Sequence, residues 1–332
     1  MFLALLQRET AGDPARAARA LAGLRAYQEA PRPPAHAPMS AVAETHGGAL
    51  RDYGGEGPAV LFVPSLINPP HVLDLGERSL LRWLAARGRR VLLVDWGPPD
   101  AARQGLSVAG HVEQILLPLM RGLEGPVDLV GYCLGGTMAL AAAQLGRARS
   151  VATLAAPWRF AGFPDESRAD LARLWRGSQA MVERLGLLPM EALQSAFWSL
   201  DPARTVAKFE AFAAIDEAAR SAFVALEDWA NDGPPLAGAA ARELFEDFFA
   251  ADLPGRGAWR VAGAAIDPAA LPGPFLNIVS TRDRIVPAAS AAPAGERLDL
   301  DLGHVGMVVG SRAREALWEP LEAWLSRVSP GC

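Results

Sequence analysis

The sequence predicts an α/β protein with a mostly parallel central sheet and an inserted helical cap. Short apolar segments alternate with helical patterns in the first half of the chain and again near its C-terminus, as in parallel sheets covered on both faces. Residues 158–255 instead show helical spacing and many aromatics without a convincing strand. A glycine-rich turn at residues 131–136 follows an apolar run and leads into an alanine-rich helical pattern.

The predicted strands are short and almost wholly apolar. They cover residues 59–63, 90–95, 127–130, 151–155, 275–279 and 297–301. Apolar spacings of three and four predict helices over residues 13–29, 77–87, 107–119, 137–145 and 312–327. We therefore expect an N-terminal helical arm and proline-rich linker (1–40), a core in two parts (41–157 and 271–332) and a cap (158–270). The arm helix is expected to cover the core or to dock a partner subunit.

Composition and charge exclude several classes of protein. The net charge of −5 argues against nucleic acid as a main partner, and two cysteines are too few for a disulfide framework. The N-terminus lacks the basic start of a signal peptide. The uncharged stretch Leu129–Gly146 contains three internal glycines, Gly131, Gly135 and Gly136, and fits a strand, turn and helix better than a membrane span. We expect a soluble cytoplasmic protein with no transmembrane segment, metal or cofactor.

The segment Gly131-Tyr-Cys133-Leu-Gly135-Gly136 has the G-x-C-x-G form of a nucleophile elbow. In the α/β-hydrolase fold this elbow joins a strand to a helix and presents the nucleophile at the tip of a sharp turn. Glycines flank the turn because its backbone is strained and its neighbours are close. Cys133 is therefore the predicted nucleophile.

A cysteine nucleophile needs a base, and the base needs an acid that orients it. In this fold the acid and then the histidine follow the nucleophile along the chain. Of five histidines only His304 comes after the last predicted strand, whereas the others precede the elbow at positions 36, 46, 71 and 111. Asp283 follows the strand 275–279 and is the predicted acid, with Asp299 and Asp301 as fallback candidates.

The oxyanion hole is expected to use the backbone N–H of Leu134 and a second N–H from the loop after the first buried strand, at Leu66 or Ile67. Cysteine suits acyl transfer, because a thiolate that attacks a CoA thioester forms an enzyme thioester of nearly equal energy. The acyl group then stays activated for delivery to a hydroxyl acceptor.

These motifs resemble the polyhydroxyalkanoate synthases, α/β-hydrolase-superfamily enzymes, and in particular the catalytic subunits of their short two-subunit classes. The likeness covers roughly residues 40–327. Its landmarks in order are Val63-Pro-Ser-Leu-Ile-Asn68, Leu73-Asp-Leu75, Val94-Asp-Trp-Gly97, Gly131-Tyr-Cys-Leu-Gly-Gly136, Leu226-Glu-Asp-Trp-Ala-Asn-Asp232, Asp283-Arg-Ile-Val-Pro287 and Gly303-His-Val-Gly306. The family usually has histidine where this chain has Arg284.

The resemblance implies that Cys133 carries the acyl chain, with His304 as base and Asp283 in support. It implies an (R)-3-hydroxyacyl-CoA substrate, a cap that gates access and contributes to a homodimer, an accessory synthase subunit, and association with polymer granules. Two other readings stay open. One is a Cys-His-Asp hydrolase, namely an acyl-CoA thioesterase, an esterase or a dienelactone hydrolase. The dienelactone hydrolases also use the motif Gly-Tyr-Cys-Leu-Gly-Gly. An inactive granule-associated scaffold subunit is the other.

Overall fold

The computed structural model describes residues 2–32, 38–212 and 214–329. Within them, one sheet contains eight strands. They are β1 (Ala41–Thr45), β2 (Gly48–Asp52), β3 (Ala59–Val63), β4 (Arg90–Asp95), β5 (Val127–Tyr132), β6 (Ala148–Leu154), β7 (Phe275–Ser280) and β8 (Glu296–Leu300). Their order across the sheet is β1-β2-β4-β3-β5-β6-β7-β8. The pairs β1–β2 and β2–β4 are antiparallel and the others are parallel. The predicted mostly parallel sheet is confirmed.

The helices flank this sheet, and several of them change between α and π geometry along their length. They are α1 (Phe2–Glu9), α2 (Pro14–Glu29), α3 (Leu80–Ala85), α4 (Val108–His111, Val112–Leu116 and Leu117–Arg121), α5 (Leu134–Leu145), α6 (Asp165–Leu185), α7 (Met190–Ser199), α8 (Pro202–Phe212), α9 (Glu217–Asn231), α10 (Gly238–Arg242 and Glu243–Ala250), α11 (Gly306–Val309) and α12 (Arg314–Trp318 and Glu319–Val328). The helices α6 to α10, called the cap helices below, all lie between β6 and β7 in the chain.

Shorter elements occur in the connections. Two-residue antiparallel pairs join Asp74–Leu75 to Arg78–Ser79, Leu187–Leu188 to Leu236–Ala237, and Arg260–Val261 to Ala264–Ala265. Single 3₁₀ turns lie at Pro70–Leu73, Phe160–Gly162, Pro268–Ala270 and Ala288–Ser290. The segment 158–255, which was predicted to contain no strand, therefore contains one two-residue pair, Leu187–Leu188 with Leu236–Ala237. Strands of two residues are too short to give an apolar pattern.

Both faces of the sheet are buried because side chains alternate along each strand. On β3, Leu61 and Val63 face one apolar cluster, while Val60 and Phe62 face the other. Helices α4, α5 and α10 pack into the first cluster, and α3, α11 and α12 into the second. This two-sided burial explains why the strands read as continuous apolar runs rather than as alternating patterns.

The arm helix α2 lies against the cap helices. The side chain of Arg16 pairs with Glu210 on α8 at 2.6 Å, and the Tyr27 hydroxyl donates to Asp228 on α9 at 2.5 Å. Gly23 packs directly on the backbone of Phe209. The expectation that this helix covers the core is therefore wrong. The proline-rich linker at 33–37 and the residues Pro330, Gly331 and Cys332 lie outside the described residues.

Three local predictions also need correction. The hairpin β1–β2 and the helix α1 were missed: β1 and β2 have five residues each, and α1 has only eight, so each pattern is short. Helix α5 begins at Leu134, three residues earlier than predicted. Among the described residues, every helix falls short of the length and apolarity that crossing a membrane requires.

Candidate active site

Cys133 lies in the turn between β5 and α5, where the chain reverses from strand to helix. Its backbone has φ 55° and ψ −131°, a conformation that is strained for a residue with a side chain. Its N–H donates to the carbonyl of Leu154 at the end of β6 (3.0 Å), and its carbonyl accepts from the N–H of Gly136 (2.8 Å). These two bonds hold the strained turn in place.

The three glycines of the elbow are required by close backbone approach. A Cβ at Gly131 would lie 2.4 Å from the Cα of Gly136, and one at Gly136 would lie 2.3 Å from the Cβ of Ala156. A Cβ at Gly135 would lie 2.1 Å from the carbonyl oxygen of Val63. Helix α5 can therefore reach the ends of β3, β5 and β6 only if these positions lack side chains.

The loops after β7 and β8 are joined side by side, and this brings Asp283 and His304 together. The N–H of Thr281 donates to the carbonyl of Leu300 (2.9 Å), and the Ser280 hydroxyl donates to that of Leu302 (2.5 Å). Because β7 and β8 pair in parallel, Asp283 and His304 lie next to each other in space although they are distant in sequence. Loops at the carboxyl edge of a parallel sheet commonly carry such residues.

Asp283 and His304 form a buried, directional pair. The Nδ1–H of His304 donates to Oδ2 of Asp283 at 2.5 Å. This leaves Nε2 unused by Asp283, and Cys133 lies close enough for its charge to act on the ring. Oδ1 of Asp283 accepts from the backbone N–H groups of Ile285 (2.7 Å) and Val286 (2.9 Å). The structure thus joins His304 to Asp283 by a hydrogen bond and places Cys133 beside this pair.

The pKa of His304 is raised to about 10. Burial alone would lower it, but the negative charges of Asp283 and then of Cys133 outweigh burial, and hydrogen bonds to the same two side chains add to the rise. His304 is therefore held as an imidazolium at neutral pH. An imidazolium–thiolate pair is the reactive form of a cysteine nucleophile.

Tyr132 is a functional neighbour that sequence reasoning missed. Its ring stacks on the ring of His304 with centroids 4.9 Å apart and an interplanar angle of 29°, and its hydroxyl donates to the His304 carbonyl at 3.3 Å. Burial, followed by the charges of Cys133 and Asp283, raises the pKa of Tyr132 well above its usual value. A neutral ring there fixes the imidazole plane. Its position directly before Cys133 in the elbow was the available signal.

The fallback acids and the other histidines lie elsewhere. Asp299 and Asp301 are exposed and pair with Arg297 and Arg282, respectively. The Nδ1 atoms of His46 and His111 lie 3.0 Å from the carbonyl of Gln114 and 2.7 Å from that of Ser107. His71 lies in the 3₁₀ turn after β3, and His36 lies outside the described residues.

The predicted oxyanion donors differ in availability. Leu134 is the first residue of α5, so its N–H has no acceptor within the helix. The N–H of Ile67 donates to the Ser65 hydroxyl at 3.0 Å, and this bond removes it as a candidate. Leu66 remains, since no residue in the described ranges accepts a hydrogen bond from its N–H.

The cap helices contact the loops that carry these residues. Trp229 on α9 donates its indole N–H to the carbonyl of Pro69 at 2.8 Å. Arg284, next to the predicted acid, pairs with Asp201 between α7 and α8. His304 and Asp283 are consequently 7% and 8% exposed. Among the described residues, no cluster of three or more histidine, cysteine or acidic side chains could hold a metal ion.

No family model matches this chain. It is similar to proteins named poly(3-hydroxyalkanoate) polymerase subunit PhaC. It is 28% identical to that of Haloferax mediterranei, over 81% of this chain and 59% of that protein. It is 27% identical to that of Haloarcula marismortui (87% and 65%) and 28% identical to that of Thiocystis violacea (81% and 81%). The matched part thus spans less than two thirds of the two haloarchaeal proteins. These similarities confirm the resemblance drawn from the sequence.

Solved structures confirm the α/β-hydrolase fold. A carboxylesterase structure from Nitrososphaera gargenis matches with a TM-score of 0.54 at 14% identity, over 87% of this chain and 98% of that one. A monoacylglycerol lipase from Paleococcus ferrophilus matches with a TM-score of 0.51 at 16% identity, over 86% and 100%. At such low identity these matches identify the fold alone.

Proposed function

We propose that this protein is an acyltransferase that takes (R)-3-hydroxyacyl groups from CoA thioesters onto Cys133 and polymerises them into polyhydroxyalkanoate. The observation that carries the proposal is a cysteine in a strained elbow beside a buried His304 that is hydrogen-bonded to Asp283. The similarity to PhaC subunits supports this choice among the acyl-transfer reactions open to such a site.

In the first step the Cys133 thiolate attacks the thioester carbonyl. The tetrahedral oxyanion is stabilised by the N–H groups of Leu134 and Leu66. Its collapse breaks the bond between the carbonyl carbon and the CoA sulfur, and the imidazolium of His304 gives its proton to that sulfur. Free CoA leaves, and the acyl group stays on Cys133 as a thioester.

Acylation changes the acid–base state of His304. The negative charge of Cys133 helps to raise the pKa of His304, and a thioester sulfur carries no such charge. The pKa of His304 therefore falls once Cys133 is acylated, while Asp283 still holds the Nδ1–H. A neutral imidazole with Nε2 facing the thioester is the form that can act as a base.

In the second step the hydroxyl group of another 3-hydroxyacyl-CoA attacks the Cys133 thioester. His304 takes the hydroxyl proton, an ester bond forms, and the bond from the carbonyl carbon to the sulfur of Cys133 breaks. The extended chain now ends in a CoA thioester. Transfer of that end back to the Cys133 thiolate releases CoA and completes one cycle. Each cycle adds one ester unit and releases one CoA.

The proposal extends to the partners of this chain. The similar proteins are named as subunits, and we propose that this chain likewise works with an accessory synthase subunit, as a homodimer, at the surface of cytoplasmic polymer granules. No cofactor takes part in the proposed reaction, since CoA enters as a component of the substrate.

The test is to supply the purified protein with 3-hydroxybutyryl-CoA and to measure both CoA release and the acyl product. We expect CoA release with accumulation of polymer and with an acyl adduct on Cys133 by mass spectrometry. CoA release with only free 3-hydroxybutyrate would identify a thioesterase instead. Opening of a dienelactone without any dependence on CoA would identify a dienelactone hydrolase, and absence of turnover would leave a scaffold role.

A further inference from the structure

The loop after β3 carries the proposed oxyanion donor, and the cap helices hold it through its far end. The side-chain amide of Asn68 donates to the carbonyls of Ala230 (3.2 Å) and Asp232 (3.3 Å) at the end of α9. The neighbouring carbonyl of Pro69 accepts from the Trp229 indole. Three hydrogen bonds thus join two adjacent loop residues to one turn of the cap.

Asn68 itself has a left-handed backbone, with φ 63°. Asparagine is among the few residues other than glycine that adopt this conformation at low cost. It reverses the chain two residues after Leu66 and faces the amide of Asn68 toward the end of α9.

Different contacts hold the start and the far end of this loop. Its start is fixed, because the Trp96 indole donates to the carbonyl of Pro64 at 3.0 Å. Beyond this point a cavity of about 280 Å³ adjoins the loop, lined among others by Ser65, Leu66 and Asn68. Ser65 and Leu66 are buried, whereas residues 67–70 are only partly buried, so the hydrogen bonds to α9 hold the part of the loop that packing does not enclose.

We propose that Asn68 is a positioning residue that couples the cap to the oxyanion hole. When α9 lies over the site, the bonds to Asn68 and Pro69 hold the Leu66 N–H toward the oxyanion. When α9 moves away, the loop relaxes into the cavity and the second donor is lost. Acyl transfer then proceeds only under a closed cap, which keeps water from the activated thioester. This inference rests on the proposed acylation of Cys133.

Two reactions of Cys133 distinguish the proposed positioning role of Asn68 from a general effect on the fold. Acylation passes through an oxyanion and needs the Leu66 N–H. Alkylation by iodoacetamide displaces iodide at a saturated carbon and forms no oxyanion, so it needs only the thiolate and access to it. Loss of the coupling should therefore slow acylation and spare alkylation.

The experiment measures the acylation burst and the iodoacetamide rate in Asn68→Gly, Asn68→Asp and Trp229→Phe. Asn68→Gly keeps the left-handed backbone accessible and removes the amide. Asn68→Asp keeps the shape but sets a carboxylate against two carbonyl oxygens. Trp229→Phe removes the indole N–H and reduces the size of a buried ring. We expect acylation to fall about 10- to 100-fold, most in Asn68→Asp, compared with the ~10²–10³-fold loss of an entire oxyanion donor. Alkylation should stay within twofold of the wild type or rise.

Asn231→Ala is the matched control, since its amide bonds to Glu227, Gln194 and Tyr27 rather than to the loop. It should leave both rates unchanged. The proposal is overturned if acylation in Asn68→Gly and Trp229→Phe stays within twofold of the wild type, or if alkylation falls in parallel. Each burst is measured with 3-hydroxybutyryl-CoA and with p-nitrophenyl acetate. A wild type that reacts only with the latter ends the proposed function, while p-nitrophenyl acetate still decides the role of Asn68. A wild type that reacts with neither ends both.

Discussion

Oδ2 of Asp283 lies 2.5 Å from Nδ1 of His304, and the other oxygen of the same carboxylate accepts two backbone N–H groups. The backbone bonds fix the orientation of the carboxylate, and the carboxylate in turn fixes the tautomer of the imidazole. This arrangement leaves the Nε2 atom of His304 for the sulfur of Cys133. The reactivity of Cys133 therefore depends on a group that does not touch it.

Replacing Asp283 with asparagine should test that dependence. Asp283→Asn keeps the shape of the side chain but removes the charge that most raises the pKa of His304. The imidazolium becomes less stable, and the amide can favour the wrong tautomer. We expect the rate of Cys133 acylation to fall about 10⁴-fold, measured as the burst of released CoA.

Asp301→Asn is the matched control for this substitution. Asp301 is an exposed acid that was a fallback candidate, and it pairs with Arg282 rather than with His304. Its variant should acylate at the rate of the wild type. If Asp301→Asn and Asp283→Asn lost activity equally, the assignment of Asp283 as the acid would be wrong.

The stability of the protein should depend on the protonation of His304. Its folded pKa, about 10, lies above the ordinary value of 6.5, so the proton is bound more tightly in the folded state. This contribution is complete below pH 6.5 and is lost as the pH rises through 10. The difference in unfolding free energy between the wild type and His304→Gln should therefore shrink over that range.

His111→Gln provides a contrast of opposite sign. Burial, followed by the charge of Arg103, lowers the pKa of His111 despite a hydrogen bond to the Ser107 carbonyl. A neutral His111 stabilises the fold, and this contribution is lost as the pH falls through the lowered pKa. Denaturant titrations at several pH values would measure both. Equal pH profiles for the two variants would contradict the charged state assigned to His304.

Removing the sulfur should abolish turnover without disturbing the fold. Cys133→Ala lacks the nucleophile, so CoA release from 3-hydroxybutyryl-CoA should fall to background. The side chain is only partly buried, and its truncation costs little packing, so the thermal midpoint should stay close to that of the wild type. Full CoA release by a folded Cys133→Ala protein would rule out the covalent mechanism.

The sequence was sufficient for the elbow and for its acid and base candidates, because each depends on local pattern and chain order. Glycine spacing around Cys133 reports close backbone approach, and a parallel sheet brings successive loops to one edge. Contacts between distant segments leave no comparable trace. Nothing local indicates that Tyr27 bonds to Asp228. The docking of α2 on the cap was therefore missed.

The elbow glycines should be intolerant of even one methyl group. A Cβ at Gly136 would lie 2.3 Å from the Cβ of Ala156, a residue that follows the end of β6. Gly136→Ala should therefore destabilise the protein by about 1–3 kcal/mol and slow the acylation of Cys133. Gly177→Ala on α6 is the control, since its Cβ meets nothing within 4 Å. A helical alanine there should stabilise the protein by about 0.5–1 kcal/mol. Similar effects of both changes would refute the packing argument.

A substitution at Gly23 should disturb the contact between the arm helix α2 and the cap helix α8. A Cβ at Gly23 would lie 1.8 Å from the carbonyl oxygen of Phe209, a backbone atom of α8 that cannot rotate away. Gly23→Ala should therefore separate α2 from α8 and weaken the pairing of Arg16 with Glu210. Hydrogen exchange should speed up over α1, α2 and α8, while the strands of the sheet keep their protection. Gly12→Ala, whose Cβ meets nothing within 4 Å, should leave the exchange unchanged. Unaltered exchange in Gly23→Ala would mean that the arm does not rest on the cap, and faster exchange across the sheet would mean that the arm supports the core after all.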